Sequence, residues 1–174
     1  MNYKIITLLL VFISTFAFAQ DDWKTLEKDN FSLIYPSHWE YSEKKPQPSV
    51  KFLLFAEVES QKKDFFRENI NLNSESLKGQ NMSLSEYTKI SIDNIKAELP
   101  TANFISNTSI KVNGIDVSDI VWSNKFGKVD LKFRQFLMVY KGEAYVITYT
   151  ATASEFDDYG TIANTILNSF KFTK

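Results

Sequence analysis

The sequence predicts an α+β fold: an α/β/α sandwich with a mainly antiparallel central sheet of about six to seven strands and one main helix on each face. Three observations predict it. Phe136–Tyr140 (FLMVY) and Ala144–Tyr149 (AYVITY) are apolar at consecutive positions, so both faces of each strand need cover. Asn113-Gly114 and Lys141-Gly142 are hairpin turns between apolar runs, which makes the flanking strands antiparallel neighbours. Two further stretches carry apolar residues at three- and four-residue spacing and can supply the two covering helices.

Each element follows in order. Lys4 precedes an apolar run from Ile5 to Ala19, with Ala17-Phe18-Ala19 ahead of Gln20. This is the pattern of a secretory signal peptide over residues 1–19, leaving a single domain from 20 to 174. The run is shorter than the ~20 residues of a membrane-spanning helix, and the mature chain has no transmembrane segment. Asp21–Asn30 is polar apart from Trp23 and Leu26 and reads as a lead-in. Phe31–Tyr35 is the first strand, stopped by Pro36, with a turn over Pro36–Trp39. Val50–Val58 is the second strand. Glu59–Arg67 is charged and includes Phe65-Phe66. A third strand lies near Glu68–Ser76, with Ile70 and Leu72 on one face.

Ser83-Leu84-Ser85-Glu86 is a capping box that opens a helix. Leu84, Thr88, Ile92, Ile95 and Leu99 form its stripe, and Pro100 ends it. Asn103–Val112 and Ile115–Ser123 are strands around Asn113-Gly114, and Asn124–Val129 turns the chain into the closing hairpin. Phe156, Tyr159, Ala163, Ile166 and Phe170 then mark the last helix. Ser154-Glu155-Phe156-Asp157 is a second capping box, which puts Glu155, Asp157 and Asp158 at the positive end of the helix dipole.

Composition narrows the function. The chain has no cysteine, which excludes disulfides, cysteine nucleophiles and thiolate metal sites. Its net charge is −1, and no basic face stands out, so nucleic acid is not an expected partner. His38 is the single histidine, beside Trp39 in the proline turn, and reads as structural rather than catalytic. There is no G-x-S-x-G elbow, phosphate loop or dinucleotide fingerprint. No catalytic residue, metal-ligand set or cofactor is assigned. Phe65, Phe66 and Arg67 are the candidate partner-binding residues, although a Phe-Phe pair in such a segment more often puts one ring in the core and one at the rim.

Several segments together resemble the PsbP-like family: Phe31–Trp39 (FSLIYPSHW), Phe66–Leu72 (FRENINL), Gly114, Ala144–Thr150 (AYVITYT), Phe156–Tyr159 (FDDY) and Ser169–Phe172 (SFKF). The group includes the extrinsic photosystem II protein, a Ran-binding nuclear-import factor and DcrB-like bacterial envelope proteins. The resemblance implies an antiparallel sheet between helices and a binding or accessory role without a shared active site. The expected function is therefore a non-enzymatic binding or accessory module, secreted to the periplasm of a Gram-negative bacterium, with an envelope protein as partner. Two alternatives stand beside it. One is a carboxylate-based hydrolase. The other is a calcium- or manganese-binding accessory protein using Glu155, Asp157 and Asp158.

Overall fold

The computed structural model describes residues 22–28 and 30–174; the predicted signal peptide lies outside them. In chain order the elements are β1 (Trp23–Lys28), β2 (Phe31–Pro36), β3 (Glu40–Ser42), β4 (Val50–Phe55), α1 (Gln61–Asp64), β5 (Asn69–Ser76) and α2 (Leu84–Glu98). Then come β6 (Asn103–Val112), β7 (Ile115–Phe126), β8 (Val129–Tyr140), β9 (Glu143–Thr152), α3 (Gly160–Ser169) and β10 (Lys171–Phe172). Seven strands form the main sheet in the order β3-β4-β5-β9-β8-β7-β6, and β1-β2-β10 form a small second sheet. Every pairing is antiparallel.

Strand alternation sends one set of side chains to each face of the main sheet. Phe52, Leu54, Ile70, Leu72, Ile147 and Tyr149 pack with Ala163, Ile166 and Leu167 of α3 and with Phe31 and Leu33 of β2. On the other face Ile120, Trp122, Leu137 and Ala144 meet α2 through Tyr87, Leu84, Ile92 and Ile95. β9 needs cover on both sides because it is central, with β5 and β8 as neighbours. The sandwich is as predicted, except that one layer is α3 together with the small sheet.

The hairpins form where expected. Asn113 and Gly114 both have positive φ (47° and 85°), the geometry that lets a two-residue turn follow the strand twist. The Ser83 capping box also forms: the Glu86 N–H donates to Ser83 Oγ and the Ser83 N–H donates to Glu86 Oε2 at 2.8 Å.

Four expectations need correction. Asp21–Asn30 contains strand β1, which pairs with β2 from Trp23↔Pro36 to Lys28↔Phe31. Its apolar content is low because it is an edge strand, held by ladder hydrogen bonds with only Leu26 buried. The turn within 124–129 narrows to Gly127-Lys128, because β7 and β8 stay paired out to Phe126↔Val129. The helical stripe of α2 omitted Tyr87, which is buried, while Leu84, Ile92, Ile95 and Leu99 are half-buried. Finally, Ser154 caps no helix. α3 begins at Gly160, and residues 153–159 form turns pinned by the buried bond from Tyr149 Oη to the Phe156 carbonyl (2.9 Å).

Candidate acidic site and its exposed loop

Among the described residues, the buried side-chain atoms left without a hydrogen-bond partner gather mainly at one corner. Seven buried side-chain atoms have no hydrogen-bond partner among the described residues: Trp39 Nε1, Glu57 Oε2, Ser60 Oγ, Asp64 Oδ2, both Glu68 oxygens and Glu155 Oε2. Four of these six residues lie between β4 and β5. The strands explain how they meet. Phe55 pairs with Asn69, and Asn69 pairs with Thr150, so the ends of β4, β5 and β9 lie side by side. The Ala56 N–H donates to the Glu68 carbonyl (2.8 Å) and closes the base of the 56–68 segment.

Glu68 keeps the alternation of β5. It lies two and four residues before Ile70 and Leu72 and shares their inward face, so it is fully buried. The turn after β9 brings Glu155 to the same place, 6% exposed. Asp64, the last residue of α1, completes the group. One carboxylate oxygen from each of Asp64, Glu68 and Glu155 lies within 4.8 Å of the others.

The electrostatics are one-sided. Burial holds the Glu68 carboxyl above the usual carboxylate range, and the Glu155 and Asp64 charges add to the rise. The Glu68 backbone N–H and the Ser60 hydroxyl offset part of this, but neither completes a hydrogen bond to the carboxylate. Lys63 Nζ reaches Glu155 Oε1 at 2.6 Å from the solvent side, and that bond raises the Lys63 pKa. Next to the group, Tyr159 Oη donates to Glu57 Oε1 (3.2 Å), and burial followed by the Glu57 charge pushes the tyrosine pKa up. His38 Nε2 lies 3.9 Å from Glu57 Oε2, and Trp39 meets the edge of Tyr159.

The candidate partner-binding residues sit between these carboxylates and part company. Phe65 is 90% exposed and Phe66 only half-buried, so the pair does not divide into one core ring and one rim ring as expected. The Phe65 φ of 64° is unfavourable for an aromatic residue. The conformation is held by Phe65 N–H to the Gln61 carbonyl (3.0 Å) and Phe66 N–H to Asp64 Oδ1 (3.0 Å). Arg67 is engaged within the fold: Nε donates to the Ala56 carbonyl, Nη1 meets Glu40 Oε2 (2.9 Å), and the guanidinium lies over Phe55.

Of the three acidic residues expected together, Glu155 joins the buried group while Asp157 and Asp158 face solvent. Sequence reading missed Asp64 and Glu68. The signal for Glu68 was present, since the alternation that puts Ile70 and Leu72 inward puts Glu68 inward as well. Nor does the group suit two-carboxylate hydrolysis, which uses acids about 5–10 Å apart across an accessible cleft. Here the central member, Glu68, is fully buried and offers no surface to a substrate. A second feature, a groove of about 630 Å³ between α2 and β6–β7, has Lys89 paired with Asp93, Asp116 paired with Lys111, and Lys96 over the Phe104 ring.

Residues 14–172 match one family along nearly the whole chain. The chain belongs to the PsbP-like protein family. No curated protein matches it in sequence. Solved structures similar to this PsbP-like chain share its fold at low identity. Cyanobacterial PsbP (CyanoP) of Synechocystis sp. PCC 6803 has a TM-score of 0.63 and 14% identity, over 94% of this chain and 98% of that one. LpqN of Mycobacterium tuberculosis, described as involved in cell envelope biogenesis, has a TM-score of 0.61 and 11% identity, over 89% and 92%. The Ran-binding protein Mog1p of Saccharomyces cerevisiae has a TM-score of 0.57 and 9% identity, over 87% and 95%. Among the described residues no helix is long and apolar enough to cross a membrane.

Proposed function

We propose that this protein is a non-enzymatic accessory module, secreted to the periplasm of a Gram-negative bacterium as the domain 20–174, that docks on an envelope protein through Phe65. The observation that carries this reading is the Phe65 ring, which is held in solvent by a left-handed backbone between two acidic residues of the fold. A large ring on a strained backbone has no packing role in the free protein, and such strain concentrates at functional positions. A single aromatic anchor filling a partner's pocket is a common source of binding energy. Phe66 is half-buried, and Arg67 ties the loop to the Ala56 carbonyl and Glu40. Secretion is supported by the Lys4–Ala19 pattern and by likeness to an envelope-biogenesis protein.

The test is capture from the organism's own envelope extract with the tagged protein and its Phe65→Ser variant. The wild type should retain a specific protein that the variant loses, with both showing the same melting curve. Equal capture by both, or a specific turnover by the purified protein that a point substitution abolishes, would overturn the reading.

A further inference from the structure

Acidic residues often cluster on protein surfaces, where water solvates them. The cluster of Asp64, Glu68 and Glu155 differs because its central member is fully buried and neither Glu68 oxygen has a hydrogen-bond partner. Asp64 Oδ2, Glu155 Oε2 and Ser60 Oγ are also buried and unpartnered. Each of the outer two carboxylates already has one oxygen engaged, Asp64 Oδ1 by the Phe66 N–H and Glu155 Oε1 by Lys63. Their remaining oxygens, with those of Glu68, are acceptors without a donor. Buried carboxylates require a proton, a cation or hydrogen-bond donors. One proton can satisfy one carboxyl group, and Lys63 reaches only the outer side of Glu155.

We propose that Asp64, Glu68 and Glu155 bind a hard divalent cation, calcium, with Ser60 as a neighbouring oxygen donor. The donor set is oxygen only, which selects hard cations over zinc or copper. The three oxygens lie within 4.8 Å of one another, close enough to share one cation. Calcium accepts irregular sets of protein oxygens, whereas magnesium demands a near-ideal octahedron and keeps several of its waters. A cleft lined by Asp64, Lys128, Asp130, Thr152 and Ser154 opens at Asp64, the half-buried member of the group. The cation would join the 56–68 segment to the turn before α3. Because Asp64 and Glu68 bracket Phe65, Phe66 and Arg67, it would also fix the loop that carries the exposed ring. The site itself does not depend on the docking reading, since the cation is detected directly and docking by capture.

The test uses the purified full chain, stripped with chelator and titrated with terbium, a luminescent stand-in for calcium excited through nearby aromatic side chains. The expected result is saturable emission that calcium displaces, together with a higher Tm in calcium. Both effects should weaken at least ~tenfold in affinity in Glu68→Gln and in Asp64→Asn. Asp64 is at the half-buried edge, so its variant keeps the test valid if Glu68→Gln does not fold. Unsaturable emission, unchanged affinity in the variants, or no Tm shift at ~10 mM calcium would overturn the site. Stronger displacement by magnesium or manganese would overturn the assignment to calcium.

Discussion

Asp119 on β7 and Glu68 at the start of β5 are both buried carboxylates on the same sheet, and their surroundings are opposite. Asp119 accepts two bonds from Arg134, at 2.9 Å from Nε and 2.7 Å from Nη2, and Arg134 is further held by Asn164. Glu68 has Asp64, Glu155 and Ser60 around it and no bond to either oxygen. The first region is a closed ion pair, complete within the fold. The second is a set of acceptors without donors, stable only because the surrounding strands dictate where it must be. The contrast separates charge that serves the fold from charge that the fold tolerates for another purpose.

That separation can be broken or sharpened by three stability measurements. The largest effect belongs to the core on which both regions rest. Leu72→Ala removes a fully buried side chain on the same face of β5 as Glu68, and should cost about 3 kcal/mol in urea unfolding. A loss below about 1 kcal/mol would mean that β5 is not anchored by its apolar face and that Glu68 is not forced inward. Next, Asp119→Asn weakens a bidentate, largely buried pair and should cost about 2 kcal/mol. The smallest effect is expected at the deeper carboxylate: Glu68→Gln, measured without divalent cations, should lie within about 1 kcal/mol of wild type or be more stable. A loss larger than that of Asp119→Asn would show that Glu68 has partners in solution and that the two regions are alike.

The parts of the molecule that were legible in sequence are those governed by neighbours along the chain. The Asn113-Gly114 turn, the Ser83 capping box and the closing hairpin appear as read, and Ala163 and Ile166 face the core from α3, although Phe156, Tyr159 and Phe170 of the same stripe lie outside the helix. The misreadings have one cause. Ser154-Glu155-Phe156-Asp157 has the local chemistry of a cap, but Tyr149 holds the Phe156 carbonyl and Lys63 takes Glu155, so tertiary contacts outweigh the local preference. Strand β1 was missed for a related reason, since an edge strand needs a partner more than an apolar pattern. Phe65 was named as a candidate, but nothing local to a Phe-Phe pair says which ring is exposed; the single turn of α1 and its left-handed exit decide that.

By itself the sequence determined the α+β class, the antiparallel order of the second half, the two covering helices and the resemblance to the PsbP-like family. These depend on periodicity, turn chemistry and residue order, all written along the chain. Only the tertiary structure decided that Asp64, Glu68 and Glu155 converge and that Asp157 and Asp158 do not. The physical reason is distance in sequence: Glu68 and Glu155 meet because β5 and β9 pair in one register, Asn69 against Thr150. Burial then turns an ordinary glutamate into an unpartnered charge, a property that no spacing along the chain contains.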